Sequence, residues 1–152
     1  MGSFSKAMSD FAVEFANWDG LRTVFLTFDH DWAPDYMLDH CANLLRKYDA
    51  KATFLATGPS PTLQAIARGD EHEVSLHPNN APNSTQGSNL NEIIAGLRKT
   101  YPEAAGTRFH VLGHSYLDLI LLSEYGMAYD VSTLRFNSPF LLPVWHADIR
   151  MT

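Results

Sequence analysis

Cysteine is nearly missing from this chain of 152 residues: there is one, Cys41. It cannot close an internal disulfide, which favours a reducing compartment, and its place in a predicted helix makes it a core residue. Positive charge is also scarce. Eleven Lys and Arg stand against 17 Asp and Glu, for a formal charge of -6. With no basic cluster to replace phosphate counterions, the sequence argues against a nucleic-acid partner. Long apolar runs are absent as well. Residues 1–20 hold none of signal-peptide length, and no segment approaches a membrane span. The expectation is a cytoplasmic protein without a membrane span. There is no low-complexity segment and no close repeat.

What is present suffices for one domain with a real core, at 45% hydrophobic and 18% charged residues. The sequence is organised around Thr23-Val-Phe-Leu-Thr-Phe-Asp-His-Asp31, followed by Trp32-Ala-Pro34. Residues Thr23 to Phe28 are β-branched or apolar, which predicts a parallel strand buried on both faces. It stops at Asp29-His30-Asp31, with Asp29 and Asp31 on one side and His30 on the other. Two carboxylates at the end of a buried strand need a cation, an Arg or a bound proton. An isolated Asp-x-Asp more often supplies a helix cap and a solvated partner.

Residues 1–22 form a weakly patterned N-terminal arm, and 23–152 one (β/α) domain. The first strand is predicted over 23–29. Helical spacing from Tyr36 through Cys41 and Leu45 to Tyr48 follows Pro34, which suits a first helical turn. A second strand over 52–57 stops at Gly58-Pro59, and Ser60-Pro61 opens a short helix closing near Gly69. The third strand is His72–His77, followed by a polar loop over 79–87 and a helix over 89–100. A fourth strand is predicted near Thr107 to Leu112, a helix from Tyr116 to Tyr125 stopped by Gly126, and a fifth strand over 127–131. Phe140 to Trp145 is a candidate last strand. Strands alternating with helices predict a parallel α/β series, whose chemistry lies at the carboxyl ends of the strands.

Polar residues gather at those ends. They are Asp29, His30 and Asp31 after the first strand, Thr57 after the second, and His77, Asn79 and Asn80 after the third. Arg108, His110 and His114 belong to the fourth, and Asp130 and Ser132 to the fifth. At the amino ends His72 is the comparable residue, and it reads as a structural hydrogen-bonding side chain. Carboxylate plus imidazole is a ligand set for a borderline divalent ion such as zinc, with positions left open for water. Such an ion lowers the pKa of its water and polarises a carbonyl. A second carboxylate, held ionised by Arg108, can take the water's proton.

The stretches Leu26-Thr-Phe-Asp-His-Asp31, Ala52-Thr-Phe54 and His72-Glu-Val-Ser-Leu-His77, with the Arg108 segment, resemble polysaccharide deacetylases of the carbohydrate esterase family 4 type. The resemblance covers roughly residues 23–132 and implies a distorted, incomplete (β/α) barrel with parallel strands. It also implies metal-dependent removal of acetyl groups from amino sugars, in surface-polysaccharide metabolism. By this resemblance Asp29 is the base, His77 the first histidine ligand, and Arg108 the support of Asp29.

The sequence departs from the family at several points. The usual Asp-Asp pair is Asp-His-Asp here, so the metal carboxylate is assigned to Asp31, with His30 as a substitute. The family's second histidine is replaced by the region Pro78-Asn79-Asn80-Ala81. The candidate metal ligands are therefore Asp31, His77, His114 and Asn80. His110 is grouped with Asp29 and Arg108 as catalytic, and is an alternative for completing the coordination. The late Leu-His motif that supplies the family's general acid is not evident, His146 being a poor match. The chain is shorter than a usual family domain, so a divergent, truncated member is expected. Zinc is the first choice of metal, with cobalt, nickel or iron as alternatives, and a carbohydrate is the expected substrate. Trp32 and Tyr116 are candidates for a sugar-stacking wall or for core. Two other readings stand beside this one: a carbohydrate-binding or scaffold domain that kept the fold without the chemistry, and a metal-independent hydrolase of another C–N bond.

Overall fold

Five short parallel strands pair in chain order, each with its sequence neighbours, in a computed structural model that describes residues 24–133. They are β1 (Thr27–Asp29), β2 (Thr53–Ala56), β3 (Glu73–Leu76), β4 (Gly106–Thr107) and β5 (Tyr129–Asp130). The connecting helices are α1 (Asp35–Lys47), α2 (Pro61–Ala67), α3 (Leu90–Thr100) and α4 (Tyr116–Glu124), with one 3-10 turn at His110–Leu112. Among the described residues the sheet is an open arc rather than a closed barrel, with β1 and β5 outermost. Among the described residues no helix is long and apolar enough to cross a membrane. The N-terminal arm, the candidate last strand over 140–145 and His146 lie outside the described residues.

Local chemistry sets the helix ends. The Ser60 hydroxyl accepts from Leu63 N to cap α2, with Pro61 in the first turn. Asn89 caps α3 through Glu92 N, and Ser115 with Asp118 forms a reciprocal capping box at α4. Each helix lays its apolar stripe on the sheet: Leu38, Ala42 and Leu45 from α1, Ile93, Ile94 and Leu97 from α3, Leu119 and Leu122 from α4. They meet Phe54, Ala56, Val74 and Leu76 in one core. Each fully buried Leu or Ile contributes on the order of 1.5–3 kcal/mol of transfer free energy.

The register assigns the other face. Asp29 stands opposite Leu55, Leu76 opposite Thr107, and Thr107 opposite Asp130. Strand alternation therefore puts Glu73, Ser75 and Tyr129 on the face away from the helices. There the Tyr129 hydroxyl donates to Glu73 (2.6 Å) and lies 3.1 Å from Ser75 Oγ, while Thr53 and Ser75 also donate to Glu73 (2.8 and 2.9 Å). Burial, reinforced by the Glu73 carboxylate, holds the Tyr129 phenol well above its ordinary value, so it remains a donor.

The Tyr129 ring reaches Glu73 by lying across Gly106, where a Cβ would come within 2.0 Å of the ring. Gly106→Ala should therefore expel Tyr129 from the network and destabilise the fold by about 1–3 kcal/mol, measurable as a lower urea midpoint. An unchanged midpoint would mean that the ring does not rest on this backbone.

Two expectations are corrected. The first strand is not buried on both faces: β1 starts at Thr27, and Val24 and Phe25 before it are 80% and 57% exposed. Among the described residues it pairs on one side only, with β2, and so gains half of a central strand's cover. The fourth strand ends at Thr107 instead of Leu112, because the chain turns at Val111 and Leu112, both with positive φ (51° and 58°).

Candidate metal centre

The carboxyl ends of β1, β3 and β4 deliver the candidate site. Past β1 the chain makes a tight turn, with Ala33 N donating to His30 O at 2.7 Å. Its two central residues, Asp31 (φ 42°) and Trp32 (φ 58°), are left-handed. Past β4, Gly113 N closes a matching turn on His110 O at 3.2 Å, and its central residues Val111 and Leu112 are left-handed too. Asp tolerates this region, but a bulky or β-branched residue there is strained by roughly 1–3 kcal/mol. Asp31 and His110 thus both sit at a strained turn, facing each other across β3.

Between them stands His77, whose side chain is 2% exposed. Its Nδ1 lies 2.7 Å from the Arg108 carbonyl, which can only accept, so Nδ1 carries the proton and Nε2 bears a lone pair. Nε2 is 3.3 Å from Asp31 Oδ1 and 3.4 Å from His110 Nδ1, and His110 Nδ1 is 3.1 Å from Asp31 Oδ1. Three acceptors meet with at most one proton, on His110, between them. A cation relieves that conflict. The spacing also suits one, since ligand atoms about 2.0–2.1 Å from a tetrahedral zinc lie about 3.3–3.4 Å apart. The buried His77, with its second nitrogen fixed by a backbone carbonyl, has the usual arrangement of a metal-binding imidazole. Asp31 is half exposed, which leaves the solvent side of the trio open.

Burial pushes the His77 imidazole below its ordinary value of 6.5, opposed by Asp29, the Arg108 carbonyl and Asp31, and assisted by His110. His77 is therefore neutral, as a ligand must be, at neutral pH. Below about pH 6.5 the unfolded chain takes up a proton there that the folded chain refuses. The stability contribution is full above that value and declines as pH falls toward the lower folded pKa. Urea midpoints should accordingly fall between pH 7 and pH 5, with a shallower slope in His77→Leu. Equal slopes would mean that His77 is not the linked group.

Asp29 lies beside the trio rather than in it. Its Oδ1 accepts from Arg108 Nη1 at 2.9 Å, and the same nitrogen donates to Thr27 Oγ1 at 3.0 Å. Arg108 thereby serves both parts, steering Asp29 with its side chain and His77 with its carbonyl. His30, the substitute for Asp31 on sequence grounds, is fully engaged elsewhere. Its Nε2 faces the Ala33 carbonyl (3.0 Å), and its Nδ1 faces Thr57 N and Oγ1 (3.3 and 3.0 Å). His114 stacks on Phe109, with its nitrogens toward Leu112 O and Thr133 Oγ1, apart from the trio. Asn80 is exposed in the loop after β3. Asp130 lies on the helix-facing side and binds Thr107 and Ser132, so these polar residues serve β4 and β5 and not the mouth.

Two residues matter more than their sequence context suggests. Gln86, in the polar loop, donates to the carbonyls of Thr57 (2.8 Å) and His77 (3.1 Å) and accepts from Asn79 N (2.6 Å). It ties the ends of β2 and β3 together beneath the trio. Trp32 meets the His110 ring edge-on at 5.4 Å and also lines a neighbouring cavity of about 450 Å³, with Pro34, Asp35, Ser60 and Gln86. Asp35 is held below the usual carboxylate range chiefly by the Ser60 hydroxyl, which fastens the start of α1 to that of α2.

Comparison with known families gives a match over residues 26–148, described as WbmS-like polysaccharide deacetylase. No curated protein sequence matches the chain. Among solved structures, one from Bordetella bronchiseptica is similar, with a TM-score of 0.70 and 29% sequence identity. It is assigned as a polysaccharide deacetylase involved in O-antigen biosynthesis. The match covers 80% of this chain and 51% of that one, so the present chain spans about half of its length.

Proposed function

Because this chain belongs to the WbmS-like polysaccharide deacetylase family, we propose that it is a metal-dependent hydrolase removing N-acetyl groups from a carbohydrate in surface-polysaccharide metabolism. The observation that carries this reading is the convergence of Asp31 Oδ1, His77 Nε2 and His110 Nδ1, beside an Asp29 held by Arg108. In this scheme Asp31, His77 and His110 hold one divalent ion, zinc first and cobalt, nickel or iron as alternatives. His110 moves from the catalytic group to the ligands, and His114 and Asn80 are left out of the set. The ion supplies Lewis acidity toward a water and an acyl carbonyl.

The chain's own residues do the rest. Arg108 holds the Asp29 carboxylate in place, so that it accepts the proton of the attacking water as oxygen adds to the acetamide carbon. Scission of the C–N bond gives acetate and a free amine, and the proton on Asp29 is available to the departing nitrogen. Trp32 offers an aromatic face beside His110 against which a sugar ring can rest.

The test is acetate release from N-acetylated oligosaccharides by protein purified without chelator, with metal measured in the same sample. About one ion per chain, and activity lost on chelation and restored by adding the ion, are expected. Full activity after chelation would favour hydrolysis without a metal, and glycan binding with no acetate release would favour a binding domain.

A further inference from the structure

Two histidines outside the trio are held in opposite ways. The ring of His72 packs against Phe54 at 5.7 Å with no hydrogen-bond partner at either nitrogen, so it is not the hydrogen-bonding residue its sequence suggests. His30 is buried with both nitrogens engaged, and their partners lie in two separate segments. Its Nε2 is 3.0 Å from the Ala33 carbonyl, which can only accept, so Nε2 carries the proton. Nδ1 therefore accepts, from Thr57 N at 3.3 Å and from the Thr57 hydroxyl at 3.0 Å. With its hydrogen directed at His30, the Thr57 oxygen accepts in turn from Trp32 N at 3.1 Å.

These bonds close on the turn that carries Asp31. His30 grips Ala33 twice, through its own carbonyl (2.7 Å from Ala33 N) and through its ring, while Thr57 takes the N–H of Trp32 between them. The two residues so enclosed, Asp31 and Trp32, are the left-handed ones. A bulky residue keeps that conformation only where its surroundings fix it. Among the described residues the Asp31 carboxylate is paired with His77 and His110 alone. It lacks a support like the Arg108 carbonyl behind His77, so the turn sets its position. Thr57 is tied to the other ligand as well, because its carbonyl and that of His77 share Gln86 Nε2 (2.8 and 3.1 Å). The strand β2 brings no member of the trio, yet the residue that follows it is bonded through N, Oγ1 and O toward both Asp31 and His77.

We propose that Thr57, acting through His30 and Trp32, is the positioning residue that aims Asp31 at His77 and His110. The proposal rests on the metal-centre reading given above. The test compares the whole protein with Thr57→Val, which keeps the size and the backbone bonds without the hydroxyl, and with Thr57→Ser, which keeps the hydroxyl. Zinc affinity is measured by competition with a chromophoric chelator, and exchange of the Trp32 amide is followed in the metal-free proteins. Thr57→Val should lose about 10–100-fold in zinc affinity, the range for removing an outer partner of a ligand. Its Trp32 amide should exchange faster, and Thr57→Ser should restore both readings. His30→Asn keeps an acceptor for Thr57 but is too short to reach the Ala33 carbonyl. It should lose zinc affinity in the same direction, and it replaces Thr57→Val if that variant fails to fold. Wild-type zinc affinity in Thr57→Val, an equal loss in Thr57→Ser, or unchanged Trp32 exchange would overturn the proposal and leave the metal centre standing. A wild type that binds no zinc, or zinc bound undiminished by His77→Ala, would defeat the metal-centre reading and the proposal with it.

Discussion

His77→Ala is expected to leave the chain with metal content reduced a hundredfold or more at equal free ion, and without measurable acetate release. Loss of an outer partner of a ligand costs about 10–100-fold in affinity, and loss of the ligand itself costs more. His77 is the residue whose removal should be felt most. It is almost fully buried, it lies within 3.4 Å of both other members of the trio, and its second nitrogen is fixed by the Arg108 carbonyl. The substitution also opens a hole in the sheet and strands that carbonyl, so about 2–3 kcal/mol of stability should go with the metal. Elemental analysis of wild type and variant, with circular dichroism to verify folding, separates the two effects. Asp31→Asn is the companion experiment, because its exposed side chain can change without touching the core. Equal metal in wild type and both variants would remove the trio as the binding site.

Asp29→Asn should have the opposite signature. The amide keeps the shape of the carboxylate and a hydrogen bond to Arg108 Nη1, so the fold and the metal content should persist. The base is lost, and positioned proton transfer is typically worth 10²- to 10⁴-fold in rate. A fall of that size in kcat, at unchanged metal content, is expected from acetate release under saturating substrate. If the variant loses its metal instead, Asp29 is a ligand and the division of labour between the two carboxylates is reversed. If it keeps full activity, the base lies elsewhere.

The sequence and the structure agree where one local pattern decides the outcome. The spacing of Ile93, Ile94 and Leu97 has one physical use, and α3 lies where it predicts; α1 also lies where Tyr36 through Tyr48 predict a helix, but Tyr36, Met37, Leu44 and Tyr48 are exposed and its buried face is Leu38, Ala42 and Leu45. Ser60 before Pro61 and Asn89 before Leu90 mark helix starts through hydrogen bonds that need nothing distant. The strand ends were less legible. Phe109 and Val111 look like strand residues, and nothing local signals that Val111 and Leu112 take a left-handed conformation. That conformation is stabilised by surroundings the periodicity does not contain. β1 is apolar enough for a central strand, yet its cover depends on what pairs with its outer edge, which lies beyond the reach of a hydrophobic pattern. In the site, Asp29, Asp31, His77 and Arg108 stood out because they cluster at strand ends. Choosing between His110 and His114 required the turn geometry. Gln86 had no signal at all: a Gln among Asn, Ser and Thr reads as solvated until its three backbone partners are known.

The sheet order has a consequence for how the molecule assembles. Every strand pairs with the strand made just before it, through a connection holding at most one α-helix. Closing such a loop costs an entropy that rises slowly with its length, so no pairing must wait for a distant part of the chain. On a ribosome, β1, β2 and β3 can zip together while α3 is still being synthesised, with the four-residue register of β2 and β3 as the firmest seam. His110 arrives later, with the turn after β4. Emergence of the chain and construction of the sheet therefore run in the same direction, and the Asp31–His77–His110 trio is completed only once the turn after β4 is in place.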